Sequence, residues 1–228
     1  MVVSSFTSAK TARGLVLFDL DNTLLDRDAA FAKWALLFIN HHDLDHDAWT
    51  VIESSDEEGL RPRDQFFNLL RTSLSIKVST GELLDAYRDE YPRCYTVDDE
   101  TVDAVRLLRV NEWKVGVVTN GPPSQLLKID ATNLASEFDA ICVSSIVGSR
   151  KPERRIFEMA AQICEVPLNG WMVGDSPHAD MEGGRAAGLA TIWMTRGRDW
   201  DDSNFAPPDA EVATIVEAVC RILDHQDE

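Results

Sequence analysis

Leu15, Val16, Leu17 and Phe18 form a short apolar run that leads directly into Asp19 and, after Leu20, Asp21. A run of this length and composition reads as a buried strand. In an open α/β sheet the carboxyl ends of the strands face the ligand crevice. Two carboxylates delivered there repel each other by about 4 kcal/mol at a separation of roughly 4 Å in a partly screened site. A fold keeps such a pair when a cation neutralises it or when one member carries a proton. The other reading is an Asp-rich loop with Asn22 and Thr23 as turn or cap residues. On this segment alone both readings stand.

A chain of 228 residues buries one substantial core and has room for a smaller inserted domain. Its 22 basic residues against 39 acidic ones leave a net charge of -17, which argues against a nucleic-acid polymer or an anionic membrane as partner. A small anionic substrate stays compatible, because a few local cations and a metal reverse the field inside a pocket. Cys94, Cys142, Cys164 and Cys220 are widely spaced with no Cys-x-x-Cys pair. That favours reduced thiols in a cytoplasmic protein over a disulfide framework or a zinc site. Cys142 and Cys164 sit in apolar stretches and read as core filler. Residues 1–13 are Ser/Thr/Ala-rich, with only Lys10 and Arg13 basic, and read as a loose leader, not a signal peptide. No stretch has the eighteen or so apolar residues of a membrane span.

After the first strand, Ala29 to Asn40 reads as a helix with Asp28 as its N-cap. Residues 44–95 carry helical periodicity without a convincing strand, best at Asp64 to Leu74 and Thr80 to Tyr91. From residue 98 helices and strands alternate. Helices are expected at Asp99 to Arg109, after Pro122-Pro123, at Glu153 to Cys164, over 178–187 up to Gly188, and at Ala210 to Leu223. Strands are expected at Trp113 to Val118, Ala140 to Val143, Trp171 to Val173 and Ala190 to Met194. This alternation implies an α/β fold, a Rossmann-like, mainly parallel sheet covered by helices.

Three more junctions carry polar groups. Thr119-Asn120-Gly121 offers a hydroxyl and amides that approach a ligand closely because residue 121 is glycine, though it also fits a plain turn. Lys151, held between Arg150 and Pro152, is a cation at a loop-to-helix junction or a surface lysine. Gly174-Asp175-Ser176 with Asp180 places two carboxylates five positions apart, of which N-capping explains one.

In this order the motifs Asp19-x-Asp21-x-Thr23, Thr119, Lys151 and Gly174-Asp175-Ser176 with Asp180 resemble the haloacid dehalogenase superfamily of hydrolases. The resemblance extends over about residues 14–223. It implies a core domain of residues 14–26 and 99–228 and an inserted all-helical cap of residues 27–98, of the C1 type. By resemblance, Asp19 is the nucleophile that becomes an aspartyl phosphate. Asp21 then protonates the leaving oxygen and activates the water. Thr119, Asn120, Gly121 and Lys151 hold the phosphoryl oxygens. Mg2+ would be bound by the side chains of Asp19 and Asp175 and the backbone carbonyl of Asp21, with Asp180 steadying that arrangement from one layer out. The superfamily's halide-displacing enzymes usually lack the second aspartate, so Asp21 favours a phosphatase.

The expected reaction is hydrolysis of a small phosphorylated metabolite, a phosphate monoester. The rivals are a sugar-phosphate mutase of the β-phosphoglucomutase type and a non-catalytic scaffold binding a phosphorylated effector or a protein. The mutase needs a grip on a second phosphate. Arg61, Arg63 and Arg71 are available, but read as mobile surface arginines. Arg27 and Arg196 follow motif-bearing strands and are candidate substrate contacts. His41, His42 and His46 read as exposed, and Phe31, Trp34, Phe66 and Phe67 as core of the insert. Nothing in the chain specifies a substrate or an oligomeric state.

Overall fold

The computed structural model describes residues 12–201 and 203–225, so the expected leader lies outside the described residues except for Ala12 and Arg13. Along the chain run β1 (Leu15–Phe18), α1 (Arg27–His41), α2 (Ala48–Asp56), α3 (Arg63–Ser73), α4 (Thr80–Glu90) and α5 (Asp99–Val110). There follow β2 (Lys114–Thr119), α6 (Gln125–Ala131), β3 (Ala140–Val143), α7 (Ser144–Val147), α8 (Arg154–Ile163) and β4 (Gly170–Gly174). The last elements are α9 (Gly183–Ala187), β5 (Ala190–Met194), β6 (Ala210–Val212) and α10 (Ile215–Asp224). The chain divides into two compact units, one of the residues up to Leu25 and from Val97 onward, the other of Asp26–Thr96.

The first unit is built on a six-stranded sheet of order β3-β2-β1-β4-β5-β6, with every pair parallel. All four residues of β1 are fully buried, each contributing about 1.5–3 kcal/mol for its side chain. α8 presents Ile156, Phe157, Ala160 and Ala161 to a core that contains Leu15, Leu17, Val118, Cys142 and Met172. Cys142 and Cys164 are core residues as expected, and the four cysteines are free thiols. The strand order reverses between β1 and β4, and at such a switch point the loops part to leave a crevice at the carboxyl ends.

Three expected elements differ. Ala210 to Leu223 is not one helix: Ala210–Val212 forms β6 beside β5, and α10 starts after Thr214, whose hydroxyl accepts from the Glu217 amide at 3.2 Å. Three residues are too few to show a period, and only the open edge of β5 makes them a strand. The segment 178–187 begins as a wide π-type turn, Pro177–Glu182, before α9. α1 starts two residues earlier than expected, because Asp26 and not Asp28 is the cap, accepting from the Ala29 amide at 3.0 Å.

In the helical unit, α1 buries Phe31, Trp34, Ala35 and Phe38 on one face. Trp34 packs edge-on against Tyr87 of α4 at 4.9 Å and Phe67 of α3 at 5.8 Å between ring centroids. Asp56, at the end of α2, pairs with both Arg27 and Arg63. Arg63 also lies over the rings of Phe66 and Tyr87, and Arg61 pairs with Glu57. Arg61 and Arg63 are thus half-buried and ion-paired, while Arg71 is exposed as expected. His41 and His46 are exposed, whereas His42 is half-buried against Phe38. Among the described residues no helix is long and apolar enough to cross a membrane.

Candidate active site

Asp19 is the first residue past β1, and its amide donates to Val173 of β4 at 2.9 Å, so its backbone is fixed by the ladder. Its Oδ1 accepts from Lys151 Nζ at 2.5 Å, and the same ammonium lies 2.6 Å from Asp180 Oδ1. The carboxylates of Asp19, Asp175 and Asp180 lie within 4.8 Å of one another.

Each partner is held from behind. Asn120, just past β2, donates to the Lys151 carbonyl and accepts from its amide, both at 2.9 Å, tying the lysine loop to the strand end. Asp180 is fully buried, and its Oδ2 accepts from the Ser176 amide at 3.0 Å. A Cβ at residue 174 would stand 2.3 Å from that oxygen, so Gly174 is required for Asp180 to reach the cluster. The Asp175 carbonyl accepts from Trp193 Nε1 and from Arg198, both at 2.9 Å, and Arg198 also lies 3.3 Å from Asp175 Oδ2.

Burial, with Asp180 beside it, pushes the Asp19 carboxyl up to about 7 against the opposing pull of Lys151. Burial and Asp180 likewise raise Asp175 to about 6, with Arg198 opposing. Burial works against the Lys151 charge, but Asp180 and Asp19 outweigh it and hold the ammonium above its ordinary value. Three carboxylates thus share one lysine and retain an excess of negative charge. The all-oxygen donor set suits a hard divalent cation, which would remove the repulsion.

Asp21 turns the other way. Asn22 adopts φ 60°, a left-handed conformation asparagine tolerates, and its amide donates to the Leu25 carbonyl at 2.7 Å. The Asp21 carboxylate is gripped from α6, by Lys128 Nζ at 2.7 and 2.6 Å and by Gln125 Nε2 at 2.9 Å. The Gln125 amide also donates to Thr119 Oγ1 at 2.8 Å. A Cβ on residue 121 would meet Gln125 Cγ at 2.8 Å, so Gly121 clears the path of this side chain. The Gly121 amide, expected to face a ligand, donates instead to Ser144 Oγ at 3.0 Å.

The fold thus gathers Asp19, Lys151, Asp175 and Asp180 into one cluster, and Thr119 and Asp21 into a second linked by Gln125. Gln125, Lys128, Ser144, Trp193 and Arg198 carry no sequence signal that singles them out, apart from the three-residue spacing that puts Gln125 and Lys128 on one helix face. His178 pairs with Glu182 at 2.6 Å on the surface, and Arg27 is occupied with Asp56.

A parallel sheet of this order with acids at the ends of β1 and β4 is the architecture of a Rossmann-like enzyme with its chemistry at the switch point. Residues 14–188 match the haloacid dehalogenase-like hydrolases, and the chain belongs to that family. It is 30% identical over 223 residues to the phosphoserine phosphatase of Thermus thermophilus, covering 94% of this chain and 85% of that one. To the pyrimidine 5'-nucleotidase YjjG of Escherichia coli it is 27% identical over 206 residues, covering 84% and 90%. The crystal structure of YfnB from Bacillus subtilis bound to magnesium superposes with a TM-score of 0.72 at 25% identity, covering 93% and 99%.

Proposed function

We propose that this enzyme hydrolyses a small phosphate monoester with Mg2+ through an aspartyl phosphate on Asp19. The observation that carries the reading is the pairing of two differently held carboxylates two residues apart. Asp19 is locked into a buried acidic cluster, while Asp21 stands apart in the turn after β1, held by Lys128 of α6. Such a division suits a nucleophile and an acid–base group.

Asp19 and Asp175 would hold Mg2+ with the Asp21 carbonyl, and the bound ion would offset the charge of the phosphate so that a carboxylate can approach it. Asp19 Oδ forms a bond to phosphorus as the bond to the ester oxygen breaks, and Asp21, which enters this step having taken up a proton from solvent, gives it to that oxygen and is left as the carboxylate. Asp21 then takes a proton from water as the water opens the acyl phosphate. Lys151, kept charged by Asp180, and the Thr119 hydroxyl and Asn120 amide receive the phosphoryl oxygens. Gly121 shapes this end of the site by admitting Gln125. The helical unit of residues 26–96, inserted between β1 and α5, is the part assigned to substrate selection. Free cysteines suit a reducing compartment such as the cytoplasm. The named relatives differ in substrate and share the phosphate ester.

Phosphate release from a panel of monoesters, with and without Mg2+, tests this. The expected outcome is Mg2+-dependent release that falls by roughly 10⁴-fold or more in Asp19→Asn. Release that survives the substitution would remove Asp19 from the chemistry.

A further inference from the structure

α6 is inside out. Leu126 and Leu127 are 36% and 46% exposed, while Gln125 and Lys128 are 4% and 8% exposed. A helix formed only for packing turns its leucines inward and its lysine to water. Burying a lysine ammonium costs several kcal/mol unless it is paired, and here the partner is the carboxylate of Asp21, reached at both oxygens. Local rules broken in this way mark functional positions.

We infer that Lys128 and Gln125 are positioning residues that act through Asp21, an inference that rests on the phosphatase reading. Asp21 sits on a turn through a left-handed Asn22, and its carboxylate is aimed by α6. Held there, it stays within reach of the leaving oxygen in one step and of water in the next. Gln125 adds a link. Its Nε2 donates to Asp21 and to Thr119 Oγ1, so the threonine accepts from Gln125 and keeps its own hydrogen for a phosphoryl oxygen. Neither Lys128 nor Gln125 touches the phosphoryl group in this scheme.

A double-substitution cycle tests it, using Asp21→Asn, Lys128→Met and the pair, with 4-nitrophenyl phosphate and the best alkyl phosphate from the panel. In the unsubstituted background Lys128→Met should lower kcat by roughly 10- to 100-fold with KM little changed. The loss in kcat/KM, which reports leaving-group departure, should be larger for the alkyl ester, whose leaving oxygen needs the proton. In the Asp21→Asn background the same substitution should cost less than about threefold. Lys128→Arg should restore most of the rate, and Gln125→Ala should show the same pattern more weakly, so a poorly folding Lys128→Met leaves two readouts. Equal losses for both esters, or an undiminished loss in the Asp21→Asn background, overturn the positioning role while leaving the phosphatase reading intact. If the unsubstituted protein hydrolyses neither ester, the phosphatase reading falls and this one with it.

Discussion

Two ionic triads with buried central residues, one in each unit, have opposite composition. At the end of the sheet Lys151 stands between the carboxylates of Asp19 and Asp180, with Asp175 close by. In the helical unit Asp56 stands between the guanidinium groups of Arg27 and Arg63. The arginine triad is compensated more evenly, and Arg27 reaches Asp28 as well, at 3.2 Å. Each guanidinium has the carboxylate and an aromatic face, Phe31 for Arg27, Phe66 and Tyr87 for Arg63, and cation–π contact spreads the remaining charge. The Arg27 guanidinium is partly buried, yet Asp56 outweighs that cost and holds it above its ordinary value. The lysine triad is open. With three carboxylates around one ammonium, Asp19 and Asp175 are left raised to about 7 and about 6. One triad joins helices, and the other keeps an excess of negative charge.

The sharpest way to separate them is to remove the central residue of each. Lys151→Met leaves Asp19 and Asp180 buried without their cation. It should lower kcat by roughly 10²–10³-fold and destabilise the α/β unit by about 3–5 kcal/mol, read by steady-state kinetics and urea denaturation. Asp56→Ala strands two arginines. It should cost a similar 3–5 kcal/mol or somewhat less, but hydrogen exchange should show the loss in residues 26–96, with Mg2+ binding by calorimetry unchanged. If Asp56→Ala weakened Mg2+ binding, the two triads would not be independent.

The smallest expected effect is in pH. A carboxyl with a raised folded value keeps a proton that the unfolded chain releases near 3.8. The metal-free protein therefore loses stability as pH rises from 3.8 toward about 7. Mg2+ bound at Asp19 and Asp175, as proposed, would displace those protons, so its affinity should tighten over the same range, by up to about tenfold per pH unit for each proton released. Calorimetry at pH 5.5, 6.5 and 7.5 reads this directly, and an affinity independent of pH would mean that Asp19 and Asp175 are ionised before the cation arrives.

Much of the α/β unit was legible before any coordinates. The buried strands declare themselves as short apolar runs, and Ala140–Val143 and Ala190–Met194 fall where the sequence puts them. Asp19 and Asp175 are legible because each follows such a run. Elements whose state depends on a neighbour are not. β6 has three residues and needs the edge of β5. Asp26 and Asp28 are equally good caps on paper, and the chain's path out of the β1 loop decides between them. Arg63 looks like any surface arginine until Asp56 and the rings close on it.

The sequence by itself determined the alternation of strands and helices, the acids at the strand ends and the family to which they belong, because these are local patterns of polarity and spacing. Only the tertiary structure decided what each acid touches. Lys151 meets Asp19 across 132 positions, and Lys128 meets Asp21 across 107. α6 turns Lys128 inward beside Ile129, and the Asp21 carboxylate 2.6 Å away compensates the buried ammonium.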